Sequence, residues 1–499
     1  MHTHKSNRTI ALRRTAIGAC LGAVTLFAAC SDFLNPKPTD VLAPENFYKS
    51  ATDAVAAVNG VYEQTMWAHW LNFWYMSDIA TDDIYASPNF GSDGHHFDEY
   101  TFNATEGTLA GPWGDSYTTI NRANAVLDHV PGIQMDSTLK ARVLAEASYL
   151  RALAYFNLVR FYGDVPLIEH EVSSLEGLDV SRTPQAQVYA LIVSDLQTAV
   201  AGLPASYSGS DVGRVTSGAA QALLAKVYLQ QHNYASAAQV TGDIIASGRY
   251  ALNARWKDNF TISKEFTNPE SIWEINYDAT LDPGAGSVIT LFSLPSNYPG
   301  GDSYGLMGLT PSLVSLYSAN DQRGNHGTFM ARPYTDLKNR TVTWTVPNGP
   351  AFDKYLDETS TQNMTARGWV QQDNNWIISR FADVLLMHAE AVNEGGAPGP
   401  LSAVAALDSV RQRADSTLPS VGALSQSALR DSIRVERRRE FVLEGQRWFD
   451  LQRYGTLDSA MRAKQAEMGY AVIGVPSQYF PIPQSEIDIN PKLTQNPGW

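Results

Sequence analysis

Between Thr216 and Tyr250 the sequence places small residues at helical spacing on both sides of one short break. Ala225 and Tyr228 fall on a first helix, the tripeptide His232-Asn233-Tyr234 makes a turn, and Tyr234, Ala237 and Ala238 open a second helix. Small side chains at these offsets let two antiparallel helices approach closely, so this stretch predicts a helical hairpin. A chain built on such units buries its helices against one another, which points to a predominantly all-α body.

The same grammar recurs. Asp53–Tyr62 and Ile120–Val130 are amphipathic. Leu139–Tyr162 repeats Ala145, Tyr149, Ala152, Phe156 and Val159 at three- and four-residue intervals, and Gly163 and Pro166 stop it. Gln185–Leu203 is a further helix, ended by Pro204. Phe381–Arg413 reads as another hairpin, with Ala389 and Ala391 before a Gly/Pro turn and Ala403, Ala405 and Ala406 after it. The offsets match tetratricopeptide-type hairpins, but no regular period runs through the chain, so a few hairpins sit in a larger body. The remainder is irregular: Ile79–Thr108, Asp282–Thr310 and Arg323–Asn375 are rich in Gly, Pro, Asn and aromatics. Loops this long on a rigid scaffold commonly form binding surfaces.

The first 29 residues read as a signal peptide. His2, His4, Lys5, Arg8, Arg13 and Arg14 make a basic head without acids, and Ala16–Ala29 is apolar and too short to span a bilayer comfortably. Ala28 and Ala29 precede Cys30 in a pattern similar to a bacterial lipobox, with Phe27 where Leu is usual. Cys30 is therefore the expected lipid-attachment residue. Cys20, the other cysteine, lies within the leader, so the mature chain has no disulfide and no cysteine metal site. The net charge of −14 argues against a nucleic-acid partner.

Four stretches carry a resemblance to a known family: "SDFLNPKPTDVLAPENFYKSATDAVAAVNGVYEQ" directly after Cys30, then "WIISRFADVLLMHAEAVNE", "VERRREFVLEGQRWFDLQRYG" and the closing "YFPIPQSEIDINPKLTQNPGW". They resemble the SusD-like (SusD/RagB) family of outer-membrane nutrient-uptake lipoproteins, in order and over essentially the whole mature chain. The resemblance implies an α-rich SusD-like fold with tetratricopeptide-type hairpins and long binding loops. The expected division is a leader over 1–29, an N-terminal region over 30–250 and a SusD/RagB C-terminal region over 251–499. It further implies outward-facing lipid anchorage on the outer membrane, a SusC-type TonB-dependent barrel as partner, and a glycan, less often a peptide, as ligand. No cofactor is expected.

For chemistry, the acids Asp78, Asp82 and Asp83 are the one enzyme-like constellation. A glycosidase needs two carboxylates, so a surface hydrolase using Asp82 or Asp83 is the alternative to pure binding. A protein-assembly scaffold or peptide binder is another. His95 and His96 are adjacent and lack metal-ligand spacing, and no phosphate loop or nucleophile elbow occurs. Sugar binding asks instead for exposed aromatic faces beside Asn, Asp or Arg side chains. Tyr85, Asn89 and Phe90 in the first irregular segment, and Phe292, Tyr298 and Tyr304 in the second, are the expected ligand residues. Trp67, Trp70 and Trp74 recur at helical spacing and read as core. In the C-terminal motif, Glu444, Arg447, Asp450 and Arg453 are expected to form an i, i+3 charge ladder, with Phe441, Gly445 and Trp448 as a packing stripe. Arg437-Arg438-Arg439, flanked by Glu436 and Glu440, reads as a solvated, salt-bridged face. The tail is expected to be non-helical, packing back with Trp499 as an anchor.

Overall fold

The longest helix among the described residues forms over the stretch read as Leu139–Tyr162. In the computed structural model, which describes residues 47–69, 72–174, 179–278, 286–296, 298, 303–358 and 373–499, Ser137–Tyr162 is a single helix. Asp136 caps it by accepting from the Leu139 amide at 2.9 Å, and Gly163 ends it at φ +76°. From Ala145 onward every residue is buried, so this helix is the axis of the N-terminal half. The helices Ala110–His129 and Gln185–Gly202 pack on either side of it, and Ala51–Ala68 lies against the first of these. Arg151 ties the layer together: it grips Asp195 through two 2.8 Å bonds and donates to Asn124 at 2.8 Å.

The hairpin expected around the His-Asn-Tyr turn forms as Ser217–Gln230 and Tyr234–Ala246. Ala219, Ala220, Ala222, Ala225 and Ala237 are fully buried, as close helix contact requires. Thr216 and Asn233 cap the two helices from their side chains. The second hairpin, Phe381–Asn393 and Ala403–Ala414, docks on the first, and Thr241 Oγ1 meets His388 Nδ1 at 2.9 Å across the contact. Gln426–Glu440 then covers its apolar face through Leu429 and Ile433.

Strands are few and short. Ile84–Ala86 pairs antiparallel with Met307–Leu309, Tyr85 facing Gly308, and Ser271–Ile275 pairs antiparallel with Trp376–Arg380. The first pairing brings the two expected ligand segments side by side. Among the described residues no helix is long and apolar enough to cross a membrane. Ser50–Trp499 forms one compact unit.

The tail differs from expectation in one respect. It packs back as expected, with the Trp499 ring stacked 5.0 Å from Phe102 and its Nε1 donating to the Tyr479 carbonyl at 2.8 Å. Yet Gln484–Ile489 is helical. Pro483 sits at its N-cap, where a missing N–H costs nothing, so the prolines start this helix rather than forbid it.

Candidate functional site

Asp78, Asp82 and Asp83, the enzyme-like constellation, are all buried. Arg447 clamps Asp82 through two 2.8 Å bonds, Nε to Oδ1 and Nη2 to Oδ2, and Arg438 donates to Asp83 at 2.6 Å. Burial alone would push the Asp82 carboxyl up, but Arg447 and Arg438 hold it well below the usual carboxylate range. Burial outweighs the same cations at Asp83 and raises it. Asp78 accepts from Ser77 Oγ at 2.6 Å, and burial lifts its pKa to about 7. Bidentate guanidinium pairing fixes chain segments and holds the Asp82 carboxylate ionised, which disfavours the protonated form a general acid needs.

The same pairs correct the expectation of a solvated basic triple. Arg437 is buried between Asp383 at 3.0 Å and Asp450 at 2.8 Å, and Arg438 reaches Asp82 and Asp83. Only Arg439, paired with Glu436 at 3.4 Å, behaves as a helix-surface residue. Three consecutive helical residues span most of a turn, so they cannot all face water when one side of the helix is core. The charge ladder is likewise incomplete. The helix is Arg447–Arg453, and Asp450–Arg453 pair at 2.9 Å, but Glu444 precedes the helix and binds Lys354 and Arg380. The expected packing stripe divides: Phe441 joins the hairpin core, while Trp448 packs on Phe480 and Tyr100.

Elsewhere the two aromatic-rich loops build a cleft of about 520 Å³. Beyond the Ile84–Ala86 strand, the Ser87 amide donates to the Leu306 carbonyl at 2.8 Å and its hydroxyl to the Gly305 carbonyl. Ser87 also receives the Asn89 amide on its hydroxyl at 3.2 Å and the Phe90 amide on its carbonyl at 2.9 Å, which folds Pro88–Phe90 into a tight turn. Asn89 Nδ2 then donates to the Tyr304 carbonyl at 2.9 Å. On the facing wall the short helix Ile289–Ser293 receives amide bonds from Tyr304 and Leu306, through the Leu291 and Phe292 carbonyls. Gly305 makes this wall possible: its φ is +61°, and a Cβ there would lie 2.6 Å from the Val346 carbonyl oxygen.

The lining includes Asn89, Phe90, Phe292 and Tyr304 from the sequence reading, with Tyr75, Ser296, Ser303 and Leu306 added. Phe90 is held edge-on by Tyr75, centroids 5.3 Å apart, and Phe292 lies 6.0 Å from Tyr304. Tyr304 is 39% exposed and offers the most open ring face; Phe292 is half-buried. Burial, with the nearby carboxylates of Asp93 and Glu106, pushes the Tyr75 hydroxyl up to about 12, so it stays a neutral donor. The arrangement offers aromatic faces at the sides and neutral hydroxyl and amide groups at the edges. Such a surface can exchange water for a polyol; among its described lining residues there is no paired acid and base.

Two expected residues lie elsewhere. Tyr85 is buried, its ring covering Gly308, and it lines a neighbouring pocket of about 640 Å³ with Pro88, His95, Glu99 and Leu309. Tyr298 is packed among Leu291, Leu294 and Trp344, and its hydroxyl donates to Glu358 at 2.9 Å. Trp74 is core, stacked 5.6 Å from Trp376; Trp70 and Cys30 lie outside the described residues. His95 and His96 meet Glu99 and Glu106, and no group of three or more potential ligands among the described residues is arranged to hold a metal. Tyr75 was visible in sequence only as one member of an aromatic run. Ser296 and Ser303 carried no signal.

Comparison with known proteins places this architecture. Residues 32–229 match the family model described as starch-binding, associating with outer membrane, and residues 328–499 match the SusD family model. The SusD-like protein P25 of Formosa agariphila is 27% identical, covering 94% of this chain and 95% of its own. Among solved structures, a laminarin-binding SusD-like protein is 29% identical with a TM-score of 0.75, covering 91% of this chain and all of its own. Surface glycan-binding protein A of Bacteroides thetaiotaomicron, in complex with laminarihexaose, is 25% identical with a TM-score of 0.77, covering 89% of this chain and 99% of its own. The fold and both matched regions define one class: the chain belongs to the SusD-like family.

Proposed function

We propose that the protein is a non-enzymatic cell-surface glycan-binding lipoprotein whose ligand sits in the Asn89/Phe90/Phe292/Tyr304 cleft. The observation that carries this reading is the convergence of two loops about 200 residues apart in sequence on one aromatic-lined concavity whose described lining is uncharged. The laminarin and laminarihexaose named with similar structures support a glycan ligand. The hydrolase alternative is weakened because the guanidinium groups of Arg447 and Arg438 engage the carboxylates of Asp82 and Asp83.

The delivery role belongs to the same proposal. The leader over 1–29 is removed, Cys30 takes the lipid, and Ser31–Asp40 tethers the body at the outer membrane beside a SusC-type TonB-dependent barrel, which receives the ligand. The description of the matched N-terminal family model supports the membrane association. Affinity electrophoresis in gels containing laminarin, starch or xylan tests the binding role. Retardation with Kd in the ~µM to mM range is expected, about −4 to −8 kcal/mol. No retardation across a broad glycan panel, or reducing-sugar release that requires Asp82, contradicts it. Cys30→Ala should abolish fatty-acid labelling and release the protein from membranes.

A further inference from the structure

We infer that this cleft selects uncharged glycan chains and rejects those carrying uronate, sulfate or phosphate groups, an inference that rests on the glycan-binding reading above. The polar side chains of its described lining are all neutral: the hydroxyls of Tyr75, Ser296 and Tyr304, Asn89, whose Nδ2 already donates to the Tyr304 carbonyl, and Ser303, which is buried and donates to the Pro295 carbonyl. Neither lysine, arginine nor histidine lines it among those residues.

Two carboxylates stand close to the Tyr75 wall of the cleft, and the cation Arg332 acts on Tyr85 in the adjoining pocket. Asp93 and Glu106 are the carboxylates whose field reaches the Tyr75 hydroxyl. The helix Ser92–Glu99 begins beside Gly91 in the lining, and its first turn is electropositive. Asp93 occupies that turn, accepting from Ser92 Oγ at 3.2 Å and from Thr108 Oγ1 at 3.0 Å. The histidines of the same helix are also engaged by acids: His96 meets Glu106 at 2.8 Å, and His95 meets Glu99 at 3.6 Å in the neighbouring pocket. An anionic sugar entering the cleft would lose its hydration to neutral groups and approach carboxylates without a compensating cation, which disfavours it. A neutral pyranose keeps its hydroxyls satisfied by amide and hydroxyl partners and lays its C–H face on Tyr304 or Phe292.

The full chain is run in native gels and titrated calorimetrically against two polysaccharide sets. Laminarin, starch, xylan and galactomannan form the neutral set; alginate, polygalacturonate, carrageenan and chondroitin sulfate form the anionic set. Each is tested at about 0.02 and 0.3 M NaCl, where screening differs strongly, and with Tyr304→Ala, whose folding is checked by circular dichroism. Supporting the inference, at least one neutral glycan binds ~10-fold or more tightly than every anionic one, without salt dependence, and Tyr304→Ala weakens that binding. An anionic glycan that binds best, weakens in high salt and is lost in Tyr304→Ala overturns the inference while leaving glycan binding intact. Neutral binding unaffected by Tyr304→Ala overturns the assignment to this cleft. Retardation by neither set overturns the glycan reading, and the inference falls with it.

Discussion

Around Arg380 the polar side chains are charged, buried and paired; in the cleft they are neutral, partly open and fixed by loop backbone. Arg380 is 1% exposed and reaches Glu270 at 2.8 Å, Glu440 at 2.5 Å and Glu444 at 2.8 Å. Arg413 shares Glu270 and Glu440 with it and Arg323 shares Glu440, so Glu440 contacts all three guanidiniums. Burial would raise the Glu440 carboxyl, but Arg413, Arg380 and Arg323 hold it well below the usual range. Buried ions need partners, so this hub ties together segments far apart in sequence, at residues 270, 323, 380 and 440. The cleft needs the opposite. A surface that must trade water for ligand repeatedly gains from groups whose desolvation is cheap, and an unpaired ion is the costliest group to place there.

The contrast is broken most forcefully from the charged side. Arg380→Met leaves Glu270, Glu440 and Glu444 short of a cation, and a loss of ~3–5 kcal/mol in urea unfolding is expected. A loss under ~1 kcal/mol would mean that the hub does not hold these segments.

Acid titration sharpens the same comparison, because two kinds of buried carboxylate have opposite signs. Burial would raise Asp383, yet Lys226 and Arg437 lower it to about 2. Its contribution is therefore present above its ordinary value near 4 and is lost as pH falls toward 2. Asp82 and Glu440 act in the same direction. Asp78, lifted to about 7, does the reverse: its cost grows as pH rises from about 4 to 7. Asp78→Asn should thus stabilise the protein by a few kcal/mol at pH 8 and leave it near wild type at pH 4. Equal effects at both values would remove Asp78 from the account.

On the neutral side, Tyr304→Ala should weaken glycan binding by ~0.5–1.5 kcal/mol, the worth of one aromatic contact, while unfolding free energy shifts by no more than ~0.5 kcal/mol. Tyr298→Phe gives the smallest expected effect. It removes one hydrogen bond to Glu358, which still accepts from Tyr334 at 2.7 Å, so stability should fall by about 1 kcal/mol or less. Calorimetric titration should find its glycan affinity unchanged.

Legibility in the sequence followed the same divide. The helices were readable because their signal is local: the Ser137–Tyr162 periodicity and the small residues of the Ser217–Ala246 hairpin state their own packing. Asn89, Phe90, Phe292 and Tyr304 were nameable as loop residues of the right chemistry. What joins them is the pairing of Ile84–Ala86 with Met307–Leu309, a long-range event with no period to announce it. Tyr85 and Tyr298 have the same local character, yet Tyr85 turned under Gly308 and Tyr298 into the loop core. The arginine triple misled for a related reason. Of its partners only Asp450 lies nearby; Asp82, Asp83 and Asp383 are distant in sequence, so neighbouring Glu436 and Glu440 suggested a surface run. Complementary charge across hundreds of residues is invisible until the chain is folded.

The most direct test of the cleft assignment is calorimetric titration of the wild type and of the Phe292→Ala, Tyr304→Ala double variant with the glycan that retards the wild type most strongly. The double variant should retain its unfolding midpoint to within a few degrees and lose ~5-fold or more in affinity, from two contacts of ~0.5–1.5 kcal/mol each. Undiminished affinity in a folded double variant would contradict the account and place the ligand elsewhere on the protein.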